Sequence, residues 1–147
     1  MKKHGFSLLE LVMVVVILGI LLGAAVPAIS NLGQWPLKTA AQELAAAMRE
    51  ARETAIAEGQ TCTLVFYDIG GRYRLDLPAG TIWTTLPEEL QMIANFPAVD
   101  NRATLYYRYT GAPNRGGYVR LQDQAGRRLY VIVTPVTGRV RLDSAPP

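Results

Sequence analysis

Histidine and cysteine are almost missing from this 147-residue chain; each occurs once, as His4 and Cys62. One cysteine excludes an intrachain disulfide. A lone N-terminal histidine and a lone cysteine in the apolar stretch 61–66 leave no usual zinc set and no Cys–His pair for nucleophilic catalysis. Asp68, Asp76 and Asp100 lack the close spacing of a metal-binding loop. Lysine is nearly as scarce: beyond Lys2 and Lys3 only Lys38 remains, and every other basic side chain is arginine. The chain carries no internal repeats, and low complexity is confined to the closing Ala-Pro-Pro. These absences point away from an enzyme, a metal or a cofactor.

What is present begins at the N-terminus. From Phe6 to Ile29 the only polar side chains are Ser7 and Glu10. At 1.5 Å per residue this run makes about 36 Å of helix, enough for a hydrocarbon core of roughly 30 Å. Lys2 and Lys3 put the short flank on the cytoplasmic side. A secretory signal peptide fits poorly, because the run is too long and residues 23–27 offer a weak cleavage site. A plain anchor leaves Glu10 unexplained, since a carboxylate at the centre of a membrane helix costs roughly 2.5–3.5 kcal/mol. Glu10 therefore requires a partner.

Gly5-Phe6-Ser7-Leu8-Leu9-Glu10-Leu11, behind two lysines and ahead of the apolar run, resembles the leader junction of type IV pilins and type II secretion pseudopilins. The resemblance implies a prepilin peptidase that cuts between Gly5 and Phe6 and methylates the new amine. It implies that the Phe6 amine of an incoming subunit pairs with a neighbour's Glu10. Pro27 removes one helical hydrogen bond and crowds the carbonyl of Gly23. It reads as a stop at the membrane surface or, by the resemblance, as a kink or melted segment of an assembled filament. The expected divisions are a leader at 1–5, a transmembrane and filament-core helix at 6–30, and a soluble head at 31–147.

In the head, Leu37, Ala41, Leu44, Met48, Ala51 and Ala55 recur at helical spacing, with Pro36 as a first-turn residue and Gly59 as a stop. A helix is expected over 36–58. Beyond it the period falls towards two, and a sheet is expected over 61–142. Its strands are a hairpin at 61–67 and 72–77, then 104–109, 118–122, 128–133 and 139–142. Residues 78–97 read as irregular. The fold expected is α+β and pilin-like: a long N-terminal helix, its first half transmembrane, packed on an antiparallel sheet. Met48-Arg49-Glu50-Ala51-Arg52-Glu53-Thr54-Ala55-Ile56 and Thr137-Gly138-Arg139-Val140-Arg141-Leu142 resemble the GspH/FimT group of minor pilins. This implies a low-abundance subunit at or near a filament tip, with other pilin subunits and an inner-membrane assembly platform as partners.

Removing residues 1–5 takes away two lysines and leaves a net charge of +1. Charge is nevertheless uneven, with eight arginines against Asp123 alone between Arg102 and Leu142. Arginine suits bidentate phosphate contact. On a strand Arg139 and Arg141 share a face. Loops add Arg115 and Arg127 or Arg128, and Tyr106, Tyr107, Tyr109 and Tyr118 are near in sequence. Gly138-Arg139-Val140-Arg141 resembles the DNA-contacting motif of FimT-like uptake pilins, which implies double-stranded DNA held by its phosphates. The alternative is that these arginines solubilise strand faces and guard a sheet edge.

Overall fold

The structure, a computed structural model, describes residues 8–30 and 35–147, with the side chains of 22–30 left aside. Gly5, Phe6 and most of the expected break at 31–35 lie outside the described residues. The chain divides into two compact units, residues 1–35 and 36–147.

In the first unit, α1 spans Leu8–Ser30 and carries Glu10 in its first turn. The helix continues past Pro27 for three residues, so the proline does not end it.

In the second, α2 spans Trp35–Glu58, and all six residues of the expected stripe are buried, with Ala40 and Ala45 beside them. Pro36 sits in the first turn, where its missing N–H has no helical partner to lose. Gly59 follows the last helical residue with φ +64, a left-handed stop.

Nine strands follow: β1 Cys62–Tyr67, β2 Arg72–Leu77, β3 Gly80–Thr85, β4 Gln91–Ala94, β5 Ala98–Val99, β6 Arg102–Tyr107, β7 Gly117–Gln122, β8 Arg128–Val133 and β9 Val140–Asp143. They form two sheets, ordered β3-β2-β1-β6-β5 and β4-β7-β8-β9. Every pairing is antiparallel. The stretch read as irregular thus holds β3 and β4. β3 lies at a sheet edge, almost wholly exposed, so neither face supplies the apolar alternation that marks a half-buried strand. It is six residues long and carries no charged side chain.

One core joins both sheets to α2. Leu64 pairs across with Leu75 and Leu105, and Val119 with Val131, so apolar side chains stack in register on the inner faces. Leu44 and Met48 reach in from the helix and are fully buried. Five of the eight buried α2 residues are alanines, so the stripe that the helix lays in the core is built mainly of small side chains. Phe66 stacks on Phe96 at 5.5 Å, tying the segment before β5 to β1.

Cys62 is buried in β1. Burial, and then the Glu58 carboxylate, push its thiol above the usual range, so it behaves as an unreactive packing group.

Leu44→Ala should cost the head about 3 kcal/mol in urea unfolding, the usual loss for emptying a closed core site. Ile69→Ala, at the exposed tip of the β1–β2 turn, should stay within about 0.5 kcal/mol.

Candidate functional site

Along α1, from Leu8 to Leu21, every large apolar side chain is exposed, from 47% at Val14 to 81% at Leu8. These residues surround the helix rather than forming a stripe, and Glu10 is the one charge among them. A helix that is apolar all round belongs in a bilayer or in the core of a larger body. Among the described residues no helix is long and apolar enough to cross a membrane; the expected span 6–30 extends past the described side chains at both ends.

The two signature segments of the head meet in space. The turn between β8 and β9 folds back through hydrogen bonds from the Gly138 N–H to the Thr134 carbonyl (3.0 Å) and from the Thr134 N–H to the Arg139 carbonyl (2.9 Å). α2 holds this turn from one side: Arg52 Nε donates to the Thr137 carbonyl at 3.1 Å, and Arg49 Nη2 to the Val140 carbonyl at 3.4 Å. Gly138, at φ +65, lies so close to its neighbours that a Cβ there would stand 2.6 Å from the Gly111 carbonyl oxygen and 2.9 Å from the Tyr107 ring. The helix run and the C-terminal run are two halves of one clasp. Helical spacing alone cannot show a backbone carbonyl arriving at Arg52 from some 85 residues away.

The predicted arginines distribute around this clasp. Arg139 lies in the turn rather than in β9, and borders a hollow of about 270 Å³ together with Arg49, Arg52 and Glu53. Arg141 borders a different hollow, of about 680 Å³, beside Tyr118 and Pro135, and its Nη1 stands 3.5 Å from Asp143. Arg127 is bound within the β7–β8 turn, its Nε 2.6 Å from Asp123 Oδ2 and its N–H donating to Oδ1. Burial works against ionisation of Asp123, but the hydrogen bonds and charge of Arg127 outweigh it and hold the carboxyl below its usual range. Arg128 Nε donates to Gln122 at 3.0 Å, and Arg115 is exposed in the loop after β6.

The tyrosines that lie near these arginines in sequence do not share one face. Tyr107 is fully buried, its hydroxyl without a hydrogen-bond partner and its ionisation pushed far up by burial. Tyr118 stacks edge-on against Tyr130, on the sheet that Tyr106 does not belong to. Alternation along a strand sends neighbouring tyrosines to opposite faces, and Tyr106 and Tyr107 part in that way.

Residues 1–26 match the family model of the prokaryotic N-terminal methylation motif, and residues 40–138 match that of the type II transport protein GspH. The chain belongs to the GspH family. Over 101 residues it is 32% identical to the type IV narrow pilus major component PilA5 of Thermus thermophilus, covering 67% of this chain and 84% of that relative. Its fold is similar to the minor pseudopilin EpsH from the type 2 secretion system of Vibrio cholerae, with TM-score 0.57 and 20% identity over 72% of this chain and 94% of that one. It is similar also to the type IV minor pilin FimU of Pseudomonas aeruginosa, with TM-score 0.60 and 16% identity over 76% and 92%. These relatives carry the pilin-like fold expected from the sequence, and the GspH match covers the helix half of the clasp and ends at Gly138 in the other.

Gly138→Ala should destabilise the head by at least about 2 kcal/mol, through left-handed strain and the clash with Gly111 together. Gly126→Ala has a similar backbone constraint (φ +80) but open space around it, and should cost about 1 kcal/mol. Arg52→Ala should cost about 1 kcal/mol for the lost bond to Thr137. Urea unfolding of the three variants side by side orders them.

Proposed function

We propose that this protein is a structural subunit of a type II secretion pseudopilus or a type IV pilus, of the minor pilin and pseudopilin class. The observation that carries this reading is α1, apolar on every side and bearing one carboxylate in its first turn. Prepilin peptidase removes residues 1–5, and Phe6 becomes a methylated N-terminus. Before assembly the chain is held in the cytoplasmic membrane by residues 6–30, with its head on the far side. On recruitment by the inner-membrane assembly platform, the Phe6 amine of one subunit meets Glu10 of another. The pair cancels two charges that hydrocarbon disfavours, and the low dielectric strengthens their attraction. Each new subunit is thereby set in register before its apolar helix joins the filament core. Pro27 introduces a site at which that helix can loosen during packing.

A second reading is contact with double-stranded DNA, and the observation favouring it is the hollow where Arg139 meets Arg49 and Arg52. Three guanidinium groups against the single Glu53 carboxylate leave the space net positive and suited to a phosphate, and such contacts position DNA without reading its sequence. In this reading Arg139 has its nearest allies on α2 and not in Arg141, Arg115, Arg127 or Arg128.

Mass spectrometry of the membrane pool should find a chain starting at N-methylated Phe6; a mature pool that begins at unmodified Met1 overturns the first reading. Glu10→Ala should leave cleavage intact and lower recovery in sheared filaments at least about 100-fold, since breaking a buried ion pair costs about 3–5 kcal/mol. For the second reading, the head should bind duplex DNA with an affinity that falls steeply as salt rises. Arg139→Ala combined with Arg49→Ala should then flatten that slope by about two. An absence of binding at low salt, beside wild-type stability, would leave the arginines to the clasp.

A further inference from the structure

The two sheets end in four edges among the described residues, β3 and β5 in one and β4 and β9 in the other. Three of them are poor seats for another strand. β5 is two residues long. At β4 the Asp68 carboxylate accepts from the Ala94 N–H. β9 carries Arg141 and Asp143 and gives its Val140 carbonyl to Arg49. β3 alone combines six residues with no charge, and its Ile82 and Trp83 are half-exposed. Natural proteins blunt their edges by short length, charge or a cover, so an open edge beside three guarded ones calls for a partner.

The two faces of that edge make different demands. Ile82 stands opposite buried Leu75 on the core side, and Trp83 stands opposite Arg74 on the outer side. Burial chiefly, with the carboxylates of Glu43 and Glu50 on α2, pushes up the ionisation of Tyr73 against a hydrogen bond with Thr84. Tyr73 and Thr84 are register partners on the core side, so acids already border that side. On the outer side Arg74 is neutralised, its Nη2 2.9 Å from Asp76, which also accepts from the Thr81 hydroxyl at 2.8 Å. Arg72 is exposed and forms no ion pair among the described residues. Its guanidinium lies 5.3 Å from the Tyr67 ring centre and 5.1 Å from that of Trp83. A cation held between rings loses little rotamer freedom on meeting a carboxylate. Arg72 stands opposite Thr85, whose short side chain leaves a way to it from the free edge.

We propose that an extended segment of a different filament subunit adds to β3 as a further strand of its sheet. That segment covers Ile82 with an apolar side chain on the core side and sets an aspartate or glutamate against Arg72 on the outer side. Main-chain hydrogen bonds supply the grip, and the two faces supply the selection. A second copy of β3 does not fill the seat, since Gly80–Thr85 has no acid to offer Arg72. One edge takes one strand, so the contact joins one copy to one partner and builds no array of this chain. It rests on the reading of the chain as a minor filament subunit and gives that subunit a specific neighbour.

The test uses the full chain in cells that assemble the filament, with the photo-crosslinking residue benzoylphenylalanine in place of Thr81. In sheared filaments, light should join it to another pilin-class subunit, within a segment of alternating apolar residues that carries an aspartate or glutamate. The same probe in place of Gln124, in the β7–β8 turn, should not reach that segment. Arg72→Glu, and separately Ile82→Lys, which points a charge into the added strand, should leave leader cleavage intact and lower incorporation at least about tenfold. Changing the partner's acid to lysine should restore Arg72→Glu and leave Ile82→Lys excluded. Filaments that hold the wild-type chain but give no joined product, or a product with a second copy of this chain, overturn the inference and leave the filament reading standing. So do equal joining from Gln124, wild-type incorporation of both variants, or a failed rescue. The joined product in membranes where the wild-type chain enters no filament upholds the added strand and overturns the filament reading instead.

Discussion

The architecture of the head depends on one helix stripe that shares its core with two sheets at once. Ala40, Ala41, Ala45, Ala51 and Ala55 are all buried there, and Leu44 and Met48 are the two large side chains fully enclosed between them. Larger residues in that row would overfill the core that the helix shares with the strands. With alanines in place, a single helix covers the five-stranded and the four-stranded sheet and fixes their relation. Burial of that stripe sets Arg49 and Arg52 where they reach the β8–β9 turn, and it leaves the far side of α2 free for charge.

The two helices have opposite requirements. α2 is apolar along one stripe and finds its partner within the chain, while α1 is apolar all round and finds none among the described residues. Membership of the GspH family gives that imbalance its meaning, since the first helix is completed by a bilayer or by neighbouring subunits. The clasp at Gly138 gives the helix run and the C-terminal run of this chain a structural role that needs no ligand. One half supplies donors, and the other supplies carbonyls in a turn that only glycine permits.

Periodicity was enough to place α2, because all six stripe positions it selected are buried. It also located the β1–β2 hairpin, and β8 at Arg128–Val133, where a sheet interior imposes a pattern on the sequence. β3 escaped because an edge strand exposed on both faces bears no such pattern, and β5 because two residues are too few to show one. At the candidate site, residue type was legible but convergence was not. Arg139 and Arg141 have the same parity, yet the strand begins only at Val140, and the two border different hollows. Arg72 and Arg74 drew no notice in a segment where charge is balanced locally, although their contacts with Trp83 are the most developed cation–ring set in the head.

The uncharged free edge of β3 carries a cost that depends on numbers. Its outward N–H and C=O groups can accept another strand, and no lysine, proline or bulge within Gly80–Thr85 discourages one. If the chain is membrane-held before assembly, as proposed above, waiting subunits move in two dimensions, and encounters between their heads rise with the square of their surface density. The same edge is harmless when few copies wait and hazardous when many do. Expression level and the speed of recruitment therefore act, for this fold, as part of its protection against misassembly.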